Sequence, residues 1–150
     1  MKLEKLVIVR HGDYNYDSLS EEGKKEVEKV AELISEYISN KDVFLFSSAE
    51  KKAIQSTEII KSSLGLDISY DFHNALGPGR NYNEFEVFNL VKEYADKSEV
   101  IVFVTHMECA EYFPAFLARE MFNKKCTKTE FVGTGEAVIF DCENIEVIIT

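Results

Sequence analysis

The sequence predicts an α/β protein, a three-layer α/β/α sandwich around a mainly parallel central sheet. Two runs, Leu6-Val7-Ile8-Val9 and Val100-Ile101-Val102-Phe103-Val104, are apolar at every position and mostly β-branched, as strands buried on both faces must be. Between the strand candidates, apolar residues recur at the 3-4 spacing of helices with one buried face, and that alternation implies a layered α/β fold. Both runs also break abruptly into polar residues, Arg10-His11-Gly12 in one and Thr105-His106 in the other. In an open α/β sheet, ligands bind in the crevice outside the carboxyl ends of the strands, so these two breaks are where chemistry is sought first.

At 150 residues, the chain is the size of one domain, taken as residues 1–150. Its 45% hydrophobic and 29% charged residues are ordinary for a globular protein and exclude disorder. The net charge of −10, from 27 acidic against 17 basic residues, argues against a nucleic-acid or anionic-membrane binder. Any anion site must therefore be a local positive pocket in a negative field. Acidic substrates are repelled at long range, and a basic macromolecular partner is at least as compatible. Apolar runs reach only four or five residues, far short of a membrane span. The start of the chain, with Lys2, Glu4 and Lys5, lacks an apolar signal region, so a cytoplasmic protein is expected. Cys109, Cys126 and Cys142 are widely spaced and form no C-x-x-C, so reduced thiols are expected rather than disulfides or a zinc site.

After the first strand, Tyr14 to Leu19 reads as a polar loop. Ser20 is a plausible N-cap, with Glu21 and Glu22 in the first turn where the helix dipole favours carboxylates. Val27, Val30, Ala31, Ile34, Tyr37 and Ile38 form that helix's inner face, and Ser39-Asn40 closes it. Gly23 costs helix propensity in the first turn, which points to close packing against a neighbouring backbone. Val43 to Phe46 reads as a second buried strand. Ser47 and Glu50 are spaced as a capping box for the next helix, with Ala53, Thr57, Ile60 and Leu64 inside and Gly65 as terminator. Leu66 to Tyr70 reads as a weaker strand near a sheet edge. A long loop follows from Asp71 to Asn83, with His73 and the Gly77-Pro78-Gly79 turn. Phe88, Val91 and Ala95, widened by Val87, Leu90 and Tyr94, line a third helix before the Val100–Val104 strand. A fourth helix runs through Ala110, Phe113, Phe116 and Leu117, with Pro114 kinking it or opening its regular part. Beyond a Lys- and Thr-rich loop from Lys124 to Gly135, Ala137 to Phe140 and Ile145 to Ile149 read as a hairpin around Cys142-Glu143-Asn144.

Parallel strands end on one edge, so His11 and His106 can converge if their strands are near neighbours. The helix after Ser47-Ser48 starts on that edge and brings Lys52. Arg10, Lys52, two histidines and free N–H groups at helix starts make a compact cationic site whose natural guest is phosphate. A neutral imidazole there can attack phosphorus, splitting one hard displacement into two easier ones through a phosphoenzyme. Cationic donors stabilise charge on the equatorial oxygens, so neither metal nor other cofactor is required. The sequence contains no metal-ligand spacing and no Gly-Lys-Ser/Thr P-loop.

These residues resemble the histidine phosphatase (phosphoglycerate mutase-like) superfamily. Its Arg-His-Gly signature is matched by Arg10-His11-Gly12 and its Leu-Ser/Thr-x-x-Gly motif by Leu19-Ser20-Glu21-Glu22-Gly23. Its Ser-Ser-Pro…Arg-Ala-x-Gln-Thr helix start is similar to the stretch from Ser47 to Ser56, and its second histidine motif to Val104-Thr105-His106. The compact length, Asp13 after the glycine and Leu76-Gly77-Pro78-Gly79 resemble the short SixA-type phosphohistidine phosphatases in particular. The resemblance implies a phosphoglycerate mutase-like fold. It also implies that His11 is the phosphoryl acceptor and that Arg10 and His106 bind the phosphate, with Gly12 and Lys52 beside them.

Two departures stand out. Lys52 replaces the family's second arginine, keeping the charge but losing the bidentate fork, and Arg80 is a candidate to compensate. The general acid of many relatives is also missing: Asn74-Ala75-Leu76 occupies one of its usual places and Met107 the other. Glu108, Glu84 and Glu86 are substitutes that read more readily as helix-start or surface carboxylates. Asp13, Glu108 and Arg80 complete the candidate residues for substrate contact or acid catalysis. Without an acid, an alkoxide leaves phosphorus poorly, whereas a phosphohistidine imidazole can leave already protonated. The expected activity is therefore a metal-independent phosphatase for phosphohistidine in proteins, or for another phosphate with a good leaving group. The alternatives are a small-molecule phosphomonoesterase and a non-catalytic phosphate- or phosphoprotein-binding module. The expected partner is a phosphorylated protein or small phosphorylated substrate. His73 reads as solvated, Tyr14 and Tyr16 as residues of the substrate mouth or simple surface tyrosines, and Cys109 and the Phe113, Phe116, Phe122 stripe as core.

Overall fold

Strand β1 (Lys5–Arg10) lies inside a six-stranded sheet in a computed structural model that describes residues 1–126 and 131–150. Residues 127–130, part of the loop expected from Lys124 to Gly135, lie outside the described residues. On one side β1 pairs in parallel with β6 (Val100–Thr105), and β6 pairs in parallel with β4 (Val43–Ser47). Strand β4 carries a two-residue parallel edge strand, β5 (Asp71–Phe72). On the other side β1 pairs antiparallel with β7 (Ala137–Asp141), which turns back into β8 (Glu146–Ile149) as the expected hairpin. The spatial order is β5-β4-β6-β1-β7-β8. Strands β1 and β6 are thus immediate neighbours, with Arg10 opposite Thr105 in register.

Alternation along each strand divides the core into two layers. Leu6 and Ile8, with Ile101 and Phe103, face the cluster beneath α3 (Glu84–Tyr94) and α4 (Met107–Phe122). Val7 and Val9, with Val102 and Val104, face α1 (Glu21–Ile38) and α2 (Lys51–Ser63). This is the α/β/α sandwich expected from the run-and-stripe pattern. No helix among the described residues is long and apolar enough to cross a membrane.

Helix α1 begins as its sequence indicates: Ser20 Oγ accepts the Gly23 N–H at 3.0 Å, and Glu21 and Glu22 occupy the first turn. Gly23 is there for space. A Cβ on it would overlap the backbone of Asp13, and a Cβ on Gly12 would overlap the carbonyl of Gly23. The turn after β1 and the first turn of α1 are therefore pressed backbone to backbone.

Several local expectations change. The loop from Tyr14 to Leu19 holds a minimal ladder, β2 (Tyr14–Asn15) with β3 (Ser18–Leu19). In β4, Phe44 keeps 36% exposure while Leu45 and Phe46 are buried: of the described rings, only those of Tyr94, the last residue of α3, and Phe46 pack against it. The Ser47–Glu50 capping box does not form. Ser47 stays in β4, where its hydroxyl donates to the Ser48 carbonyl and accepts from Thr57, and Ser48 Oγ accepts the Glu50 N–H instead. Leu66 to Tyr70 makes no ladder: Leu66, Ile68 and Tyr70 pack against the α1/α2 cluster, and pairing with Phe46 and Ser47 begins only at Asp71. Turns of 3-10 helix at Asn74–Leu76 and Gly79–Asn81 interrupt the long loop, with Gly79 at φ +55°. Pro114 lies inside α4 and is buried.

Candidate active site

The carboxyl ends of three strands are laced together by backbone hydrogen bonds. The His11 N–H donates to the Thr105 carbonyl at 3.0 Å, and the Ser48 N–H to the Val104 carbonyl at 2.9 Å. His11 therefore leaves β1 directly beside His106, which leaves β6 and begins α4. Their rings meet edge to face with centroids 4.8 Å apart, and each residue is only 3% exposed.

Each ring is fixed by a neighbour. The Gly12 carbonyl lies 2.9 Å from His11 Nδ1. A carbonyl oxygen only accepts, so Nδ1 carries the proton and Nε2 keeps its lone pair. Gly12 is itself held, its N–H donating to Ser56 Oγ at 3.1 Å while Ser56 donates to the Lys52 carbonyl. Ser48 Oγ lies 2.9 Å from His106 Nε2.

Two cations frame the pair. Arg10 Nη1 donates to the Val132 carbonyl at 2.7 Å, while its Nε–H is buried without a partner among the described residues. The Lys52 ammonium sits 3.8 Å above the centroid of the Tyr14 ring, which meets the His11 ring edge to face at 5.2 Å. The electrostatic result is two neutral imidazoles. His11 is lowered to about 4, chiefly by burial and further by Lys52 and Arg10; the Gly12 bond and Glu108 oppose the shift. His106 is lowered to about 3, again chiefly by burial, then by His11, Lys52 and Arg10. A buried donor without a partner, two cations and two uncharged rings suit a guest that brings negative charge and acceptor oxygens.

Arg10, His11, Gly12, Lys52 and His106 thus come together. The other candidates are placed differently. The Asp13 carboxylate accepts from the Ser20 hydroxyl at 3.1 Å, so it faces the start of α1. Glu108 is near enough to act on His11 by its charge, but its Oε1 accepts the Gly79 N–H at 2.9 Å and ties the long loop to α4. Arg80 is exposed and makes no hydrogen bond or ion pair among the described residues. Glu84 and Glu86 lie in the first turn of α3, where Asn83 accepts the Glu86 N–H. His73 is not simply solvated: its ring packs edge to face on Phe46, and its N–H donates to the Ser47 carbonyl. Tyr14 stands in the site, whereas Tyr16 is 97% exposed. Cys109 is fully buried, and burial pushes its thiol up to about 12. Among the described residues, no three His, Cys, Asp or Glu side chains are grouped to hold a metal.

Sequence reasoning missed Ser48 and Ser56 as supports of the two histidines. Their signal was the spacing itself: Ser48 follows a strand ending beside β6, and Ser56 lies one helical turn beyond Lys52 on α2.

No family model matches the chain, and no curated protein matches its sequence. Solved structures match it along nearly its whole length. The protein histidine phosphatase SixA complexed with tungstate is 17% identical, with a TM-score of 0.71 over 97% of this chain and 94% of that one. A mycobacterial glucosyl-3-phosphoglycerate phosphatase complexed with VO3 is 16% identical, with a TM-score of 0.68 over 98% and 97%. A phosphoserine phosphatase mutant from Entamoeba histolytica, in complex with phosphoserine, is 15% identical, with a TM-score of 0.59 over 97% and 94%. The chain has the phosphoglycerate mutase-like fold that these structures share.

Proposed function

We propose that this chain is a histidine phosphatase that works through a phosphohistidine on His11. The observation that carries the reading is the fixed state of His11: a neutral ring with Nδ1–H held by Gly12, its Nε2 lone pair free, beside His106, Arg10 and Lys52. Neighbours of the same fold, solved with tungstate and VO3, add support, since both are oxyanions. In the first step the Nε2 pair attacks phosphorus as the bond to the leaving group breaks, and the leaving group takes that bond's electrons. Arg10, through its free Nε–H, and Lys52 stabilise the charge spreading over the equatorial oxygens. In the second step water attacks, the P–N bond breaks, its pair returns to Nε2, and phosphate departs.

The substrate follows from what handles the leaving group's proton. Glu108 has one oxygen engaged by Gly79, and Asp13 faces Ser20. A leaving group that carries its own proton, such as the imidazole of phosphohistidine, or one that leaves unaided, such as a phenol, fits that arrangement better than an alkoxide. The substrate class is accordingly a phosphorylated protein bearing phosphohistidine, or another phosphate with a good leaving group.

Incubation with a phosphoryl donor is expected to place acid-labile, alkali-stable phosphate on His11, and none on His11→Ala. No label, and no turnover above that variant, would instead favour a phosphate-binding module. The pH profile adds a signed expectation. Protonation removes the Nε2 lone pair, so kcat/KM, corrected for the substrate phosphate's own ionisation at about pH 6, should hold through that range and fall only as pH drops through about 4. An acid limb at the ordinary histidine value would contradict the neutral buried nucleophile.

A further inference from the structure

Glu111 is a carboxylate buried to 6% exposure on α4, on the helix face it shares with the buried Pro114 and Ala118. Burying a charge is costly unless something answers it. Its Oε2 accepts the N–H of Val132 at 3.1 Å. The carbonyl of the same Val132 accepts from Arg10 Nη1 at 2.7 Å. One residue's backbone therefore bridges a buried acid on α4 and the guanidinium leaving β1, while its side chain is locked in the core. Nearby, the Gly135 N–H donates to the carbonyls of Arg10 and His11. With Nη1 held, the guanidinium plane is fixed, and the Nε–H is left as a buried donor with no partner.

We infer that Glu111 is a positioning residue: it fixes Val132 so that Val132 aims the Arg10 guanidinium at the oxyanion. This rests on the reading of the site as a phosphate site, and it assigns a purpose to a buried charge that the proposed reaction does not otherwise use. Glu111 itself touches no reacting atom.

The test is calorimetric titration of the purified protein with tungstate, alongside its melting transition. Glu111→Met keeps the length but removes the acceptor, and should weaken tungstate binding about tenfold in a protein that still melts cooperatively, since Val132 loses its partner. Glu111→Gln restores an acceptor and should bind within about twofold of the parent. In the double variant with Arg10→Ala, the Glu111→Met change should weaken binding no further than Arg10→Ala alone, because the two act as one unit. A purely structural acid would lower the melting point yet leave affinity intact, or add its effect independently of Arg10; either result overturns the inference. If Glu111→Met does not fold, Glu111→Asp, which withdraws the acceptor by one methylene, decides on the same criteria. Parent protein that takes up no tungstate overturns the phosphate site and this inference with it. Parent that binds while the Glu111 variants bind equally overturns the inference alone.

Discussion

Helices α1 and α2 both start along the carboxyl edge of the sheet, and they start in opposite ways. Helix α1 is finished by its own sequence: Ser20 caps it, and Glu21 and Glu22 meet the positive end of its dipole. Helix α2 has Glu50 at its cap position with no side-chain cap bond, no acid in its first turn, and Lys51 and Lys52 there instead. Cations at a helix start work against the dipole, each by roughly 0.3–1 kcal/mol. One start is therefore completed by its own side chains, whereas the other sets two lysines behind the single Glu50 carboxylate, a start that on the proposed function receives an anion. On that reading stability and function are divided between two neighbouring helix ends.

Removing the cation from α2 breaks the contrast most sharply. Lys52→Ala should lower kcat/KM for an aryl phosphate by about two to three powers of ten, in line with loss of a charged transition-state donor. The same variant, with no anion present, should melt no lower than the parent. A lower melting point together with unchanged turnover would show that Lys52 serves the fold rather than the site. On the α1 side the effect falls on stability. Gly23→Ala forces a Cβ into the Asp13 backbone and should cost about 3 kcal/mol in denaturant unfolding. An Ala variant of parent-like stability would mean the turn and helix are not tightly apposed. The smallest expected effect is Ser20→Ala: a loss of about 1 kcal/mol, with turnover little changed. If that substitution cost activity as heavily as Lys52→Ala, the division between the two ends would not hold.

The histidine strands and their shared edge were legible because full burial leaves a plain mark: uninterrupted apolar residues, then a sudden charge. Which side chains meet at that edge was less so. The Ser47–Glu50 spacing suits a capping box, but Ser47's hydroxyl finds Thr57 ten residues on, and tertiary pairing outweighs the local motif. Leu66 to Tyr70 has a strand-like pattern because its apolar residues face the α1/α2 cluster, and burial alone does not create a ladder partner. Glu111 had a visible signal in a carboxylate set within an apolar helical stripe. Its partner, a backbone N–H in a distant loop, leaves no trace in side-chain chemistry. The acids nearest the site were visible as residue types, but only the hydrogen bonds of Glu108 and Asp13 reveal that each already has another engagement.

The antiparallel strand β7 beside β1 has a consequence for the proposed site. The contact that steadies Arg10 joins residues 122 positions apart, and the Gly135 amide reaches back to Arg10 and His11 across a similar span. The Arg10 N–H also donates to the carbonyl of Glu136, so three points in the segment just before β7 hold the end of β1. On the proposed function, the aim of Arg10 therefore depends on the docking of the β7–β8 hairpin, although neither histidine belongs to it. Loosening of that hairpin would release Arg10 while the parallel β1-β6-β4 pairing stays intact.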